Sequence, residues 1–134
     1  MKKLLLTTIL IFSLLYTGLY GQKGKNKLAL KADTVQSDSI EYELIIIDPG
    51  FDSWLVTKPS INYHSQFFFE VKNQFFVTEW NSRYYQPHKY GTLYEDYIDY
   101  RPGIDYGLEL NYRLYYYFLY FEETNHVSLS GGKR

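Results

Sequence analysis

The ordered-looking part of the chain opens with EYELIIIDPG, where Glu41, Tyr42, Glu43 and Leu44 alternate polar with apolar before a β-branched triplet, Ile45 to Ile47. Alternation followed by a β-branched run predicts a strand over 42–48, with its apolar end buried on both faces. Asp48-Pro49-Gly50 stops it as a turn: Pro49 presets φ and Gly50 accepts a positive φ. FDSWLVTKP then predicts one short helical turn, capped by Asp52 or Ser53 and closed before Pro59.

Two longer stretches carry both periodicities. In QFFFEVKNQFFVTEW, β-formers flank Lys72-Asn73-Gln74, which would suit a hairpin loop. The same residues also suit one helix over about 65–83, with Pro59-Ser60 near its start and Pro87 beyond its end. On a helical wheel Phe68, Val71 and Phe75 share a face while Phe69, Phe76 and Trp80 sit on another, so amphipathicity is weak. Residues 107–114 alternate almost strictly, as a strand would. Yet Leu108, Tyr112, Tyr115, Leu119 and Glu122 follow helical spacing, with Asp105 as N-cap and Ile104 ahead of it. Without Pro, or Gly after Gly107, the stretch is too long for a usual strand, which predicts a helix over 105–123.

The flanks differ in kind. MKKLLLTTILIFSLLYTGLYGQ has Lys2 and Lys3 ahead of an uncharged run from Leu4 to Leu15, then Gly18 and Gly21. That order predicts a signal peptide over 1–21, with cleavage after Gly21. Its apolar run is shorter than the ~20 residues a spanning helix needs, and no transmembrane span is expected after its removal; retention as an N-terminal anchor is the alternative. Residues 22–39 lack aromatics and mix Lys, Gly, Ser, Asp and Asn, which predicts a flexible polar spacer. Residues 40–129 form the single globular domain, and 130–134 a disordered tail.

Composition narrows the compartment and the chemistry. The chain has no Cys, so disulfides, thiolate catalysis and a thioether-linked lipid are excluded. Leu19-Tyr20-Gly21-Gln22 has the shape of a lipobox, but Gln22 stands where the lipidated Cys would be; the protein is expected in the periplasm or outer envelope, not as a lipoprotein. Without the leader the balance is 12 basic against 15 acidic residues, which does not suit nucleic acid. Four or five strand-like runs are too few for an eight-stranded outer-membrane barrel.

No G-x-S-x-G, H-E-x-x-H, Walker or G-x-G-x-x-G pattern is present. His64, His88 and His126 stand far apart, so no metal or other cofactor is expected. Glu95, Asp96, Asp99 and Asp105 crowd into eleven residues, but Arg101 lies among them and no EF-hand spacing matches, which favours capping and ion pairing over Ca²⁺. Twelve of the 38 residues from Tyr84 to Phe121 are Tyr. Such rings serve as core filler with the hydroxyl at the surface, or as anchors of an interaction surface with Trp54 and Trp80.

The blocks YELIIIDPGFDSWL, VTEWN and YIDYRPGIDYGLELNYRLYYYF, in that order, resemble a family of small proteins of Bacteroidota-type bacteria known as a domain of unknown function. The resemblance spans about 40–129. It implies an exported or envelope location, brings no activity, ligand or partner, and favours helix over hairpin for 63–85.

These readings converge on a small α+β single domain, with one or two short strands packed on two longer aromatic-rich helices. A lone strand leaves its backbone unpaired, so it needs a partner: 126–129, or the same strand of a second copy in a homodimer. The expected function is that of a non-enzymatic interaction or structural module of the cell envelope, with an envelope protein or cell-wall glycan as partner. Candidate binding residues are Trp54, Glu79, Trp80, Asn81, Tyr97, Asp99 and Tyr100. Asp105, Pro49, Gly50, Pro102 and Gly103 are expected to be structural. The alternative is a carbohydrate- or peptidoglycan-binding or glycoside-active protein using Asp99, Asp105 and Glu79 beside the rings.

Overall fold

A computed structural model describes residues 26–34 and 40–130. The expected leader, residues 22–25 of the spacer and residues 131–134 of the tail lie outside the described residues. The elements are β1 (Lys27–Thr34), β2 (Ile40–Ile47), α1 (Phe51–Leu55), α2 (Gln66–Tyr84), α3 (Pro87–Tyr90) and α4 (Leu108–Asn125). This is the expected small α+β domain.

The spacer assignment needs correcting, because Lys27–Thr34 is a strand. It pairs antiparallel with β2 over eight positions, from Lys27 opposite Ile47 to Thr34 opposite Ile40. Its lack of aromatics hid a period-two pattern in KLALK: Leu28 and Leu30 turn inward, and Leu28 is fully buried in the core. On the other face Lys31 stands opposite Glu43, an opposite-charge cross-strand pair that favours this register. The partner β2 required is therefore β1, not 126–129. That segment instead follows α4 and returns to it: Leu129 is buried, and its N–H donates to the Glu122 carboxylate.

Between 66 and 84 the chain is helical. Ser65 caps the start, its Oγ accepting the Phe68 N–H at 3.2 Å. The suggested hairpin loop falls mid-helix, and Asn73 is buried there for a reason. Its Nδ2 donates to the Asn111 backbone carbonyl at 2.8 Å and to Asn111 Oδ1 at 3.1 Å, tying α2 to α4. The weak amphipathicity also has a cause. Phe69, Asn73, Phe76, Val77 and Trp80 face the core, while Phe67, Val71 and Phe75 face outward, so α2 is apolar on two sides.

Helix α4 starts later than 105. Its N-cap is Gly107, at φ +81°, a conformation that suits a residue without Cβ. Asp105 sits two residues earlier and accepts the Gly107 N–H at 3.0 Å, so it shapes the approach without capping the helix. Around α4 gather Phe51 of α1, Phe69, Phe76 and Trp80 of α2, and Leu28 of β1, with Phe118 and Leu114 fully buried at the centre.

The two turns use glycine differently. Pro102-Gly103 is a turn in which Gly103 takes φ +85°, as a proline–glycine pair predicts. Gly50 instead has φ −86°. Its missing side chain matters for space: a Cβ there would lie 2.5 Å from Tyr120 Oη. That hydroxyl donates to Asp48 Oδ1 at 2.9 Å, which locks the turn onto α4. Asp52 and Ser53 do not cap α1, which begins at Gly50 without a side-chain cap.

Candidate functional site

The tyrosines of α4 are mostly core. Tyr116, Tyr117 and Tyr120 are buried, and burial pushes their phenols above the ordinary tyrosine range; the nearby Asp48 raises Tyr120 further, to about 12. These rings pack edge-on against Phe51 and Trp54, with centroids 5.4 to 6.3 Å apart.

The proposed binding residues scatter. Trp80 is only 3% exposed, and its Nε1 donates to the Asp96 carbonyl at 2.7 Å; its ring is core, not surface. Asn81 clamps the backbone of Ile98, donating to its carbonyl at 2.8 Å and accepting its N–H at 3.0 Å. Trp54 is half-buried, with its Nε1 on Glu123 and the Lys58 ammonium 4.0 Å from the ring centroid. One face of that ring is thus already occupied.

Glu79 pairs with Arg83 at 2.7 Å. Arg83 also donates to the Tyr94 hydroxyl and the Ser128 carbonyl, which joins α2 to the loop and the chain's end. Asp99 is exposed and forked onto Arg101 at 2.8 and 2.9 Å, which holds its carboxyl below the usual range. Gln66, which binds Asp105, and Glu79 are thirteen residues apart on α2, about 20 Å along the axis. The three carboxylates named for glycoside chemistry therefore do not converge. Glu95 and Asp96 do line a cleft of about 340 Å³ beside Trp80. There, Asp96 Oδ2 accepts the Leu28 N–H and anchors β1.

What the fold brings together lies between α2 and the Arg101–Asp105 turn, in a groove of about 450 Å³. Gln66 Nε2 donates to both Glu70, at 2.8 Å, and Asp105, at 2.6 Å, so two carboxylates share one amide donor. Tyr100 forms part of the wall, stacked on Tyr106 with centroids 4.7 Å apart and donating to Asn111 Oδ1 at 2.8 Å. Burial, with the Glu70 charge behind it, pushes the Tyr100 phenol well above its ordinary range. Among the described residues the one cation on the groove wall, Arg101, is held by Asp99. The groove is therefore acidic.

From this groove an apolar row runs along the outside of α2. Phe67 is 73% exposed, Val71 51% and Phe75 57%, at four-residue spacing. Tyr85, 70% exposed, follows Phe67 by eighteen residues, about five turns, and so stands on the same side. Tyr97 lies against Tyr84 and Tyr85, with centroids 5.8 and 5.9 Å away. Tyr97 and Tyr100 are thus the sequence-nominated residues that reach this surface. Gln66, Glu70, Phe67, Val71 and Phe75 were missed; the signal was the second apolar face on the α2 wheel.

Among the described residues, no three His, Asp or Glu side chains gather as metal ligands, and no helix is long and apolar enough to cross a membrane. The model of a family described as "Family of unknown function (DUF6146)" matches residues 3–132, and the chain belongs to that family. No curated protein and no solved structure matches it.

Proposed function

We propose that the chain is an exported cell-envelope protein that acts as a non-enzymatic interaction module, presenting the outer face of α2 to a protein partner. The observation that carries this reading is the exposed row of Phe67, Val71, Phe75 and Tyr85. A single exposed aromatic is ordinary, but a row along one helix face marks a contact surface. The acidic groove at its start, with Glu70 and Asp105, suits a segment that sets a lysine or arginine beside apolar residues. Export is supported by the basic, apolar and small-residue order of the first 21 residues, and a Bacteroidota-type envelope by the resemblance of the three sequence blocks. A glycan partner has less support, because Lys58 covers Trp54 and Trp80 is buried.

The test is photocrosslinking in the native host. A crosslinking side chain at position 75 should trap a discrete protein in the envelope fraction. One at position 56, exposed on another surface, should not. Adding Glu70→Lys should remove the adduct. Equal adducts from both positions, or indifference to Glu70→Lys, would sink the interaction reading; recovery in the cytoplasm would sink export.

A further inference from the structure

Strand β2 has the composition of a central strand and the position of an edge strand. Its run Leu44-Ile45-Ile46-Ile47 suits a sheet with neighbours on both sides, yet β1 is its one paired strand among the described residues, and Ile47 is 54% exposed. Two-stranded sheets are marginal unless packed or extended. Edges are ordinarily guarded by charged side chains, above all Lys, by Pro, by a bulge or by a covering element, and the only charges on β2 are Glu41 and Glu43. β2 has no Lys or Pro, and its eight-residue register runs without a break.

The direction of the free backbone groups follows from one bond. The Leu28 N–H donates to Asp96 Oδ2 at 3.2 Å, away from β2. Leu28–Ile46 is therefore a non-hydrogen-bonded pair, and by alternation so are Leu30–Leu44 and Ala32–Tyr42. On β2 the N–H and C=O groups of Tyr42, Leu44 and Ile46 consequently point away from β1. Among the described residues, no backbone group off the β1 ladder bonds to them. The Tyr42–Leu44 part of the strand borders a groove of about 640 Å³, whose other wall is the start of α4, from Tyr106 to Arg113.

We propose that this edge is a strand-addition site that takes an extended segment of a partner protein as a third strand, carrying basic residues on alternate positions. Backbone bonding to Tyr42, Leu44 and Ile46 would supply affinity, and the alternate side chains selectivity. The charge requirement comes from the walls. Glu41, Glu43 and Glu109 are acidic; among the described residues Glu41 and Glu109 form no ion pair and Glu43 has only Lys31 opposite it across the strands, whereas Arg113 is held by Asp52 at 2.9 Å. The strand that β2 already accepts has the same character: β1 sets Lys31 opposite Glu43 and turns Leu28 and Leu30 inward. In the groove the inward residues would cover Tyr106 and Leu108, and the basic ones would face Glu41 and Glu43. This site is separate from the α2 face and does not depend on it.

The test uses the full chain and a synthetic peptide, KLALKADT, that copies the β1 pattern. In the free protein, amide hydrogen exchange should be fast at Tyr42, Leu44 and Ile46 and slow at Glu43 and Ile45. The peptide should slow the first set, and its version with both lysines replaced by glutamate, ELALEADT, should bind at least tenfold more weakly. Leu44→Pro removes an outward N–H and should abolish binding. Glu41→Lys serves if that variant fails to fold, and should weaken binding about tenfold. Slow exchange at all five amides without peptide, equal binding of the two peptides, or a dimer in sedimentation that protects Leu44 would each overturn the proposal. So would exposure of Glu43 and Ile45 on peptide addition, since the peptide would then have displaced β1.

Discussion

Helices α2 and α4 are both dense in aromatic residues and pack against each other, yet α4 has neighbours on nearly every side, while α2 leaves one apolar face uncovered by the described residues. Around α4 stand α1, α2, β2 and the loop carrying Tyr94 and Tyr106, and its rings from Tyr112 to Phe121 are buried or half-buried. On α2 the inner row, Phe69, Phe76 and Trp80, meets α4 through ring contacts 4.6 to 6.4 Å apart. The outer row, Phe67, Val71 and Phe75, is more than half exposed. Aromatic density therefore means two things in one protein: core filling where the helix is surrounded, and surplus surface where it is not.

The sharpest way to break that comparison is to remove one ring from each class. Phe118→Ala empties the centre and should cost about 3–5 kcal/mol in denaturant unfolding. A loss under about 1 kcal/mol would mean that α4 is not the centre of the core.

The next largest effect is alkaline. Burial raises the phenols of Tyr116, Tyr117 and Tyr120 in the folded state, Tyr120 to about 12. A raised folded value means that the unfolded chain loses the proton first. The stabilisation is thus complete below about pH 10 and is lost as pH climbs through the folded values. Tyrosinate absorbance should rise together with loss of helical circular dichroism; ionisation well before unfolding would contradict the buried assignment.

A smaller contrast lies in the polar seam between the helices. Asn111→Leu strips an acceptor from both the Tyr100 hydroxyl and Asn73 Nδ2, and should cost about 1–3 kcal/mol. Asn73→Leu should cost less. Among the described residues Asn73 Oδ1 accepts no well-formed hydrogen bond, and Asn111 Oδ1 keeps the Tyr100 hydroxyl when Asn73 is gone. Equal losses would show that the two asparagines act as one unit. Smallest of all, Phe67→Ser with Phe75→Ser should change stability by no more than about 0.5 kcal/mol. A loss of several kcal/mol would mean that another part of the chain covers this face.

The same contrast explains which features could be read from residue order. The buried half of each helix follows spacing, and β2 follows alternation with β-branched residues, so these elements were legible. The Pro102-Gly103 turn was legible too, because its chemistry is local. β1 was not: KLALK is short and has no β-branched or aromatic residue, and its strand character depends on meeting β2 in register. Asp99 and Asp105 show the same division. Residue order alone makes Asp105 a helix cap and Asp99 a binding candidate. In the fold, Asp105 shares Gln66 with Glu70, and Asp99 holds Arg101. Of these partnerships, the one that joins Asp105 to Gln66 spans 39 residues of chain.

By itself, then, the sequence determined an α+β domain without disulfides, one strongly β-prone strand, two aromatic helices and their turns. Those properties come from backbone preference and periodicity within a few residues. Only the tertiary structure decided which rings are core and which are surface, because burial depends on what packs against each face. It also decided that Trp80 and Asn81 hold the molecule together while Phe67, Val71, Phe75 and the outer edge of β2 face outward.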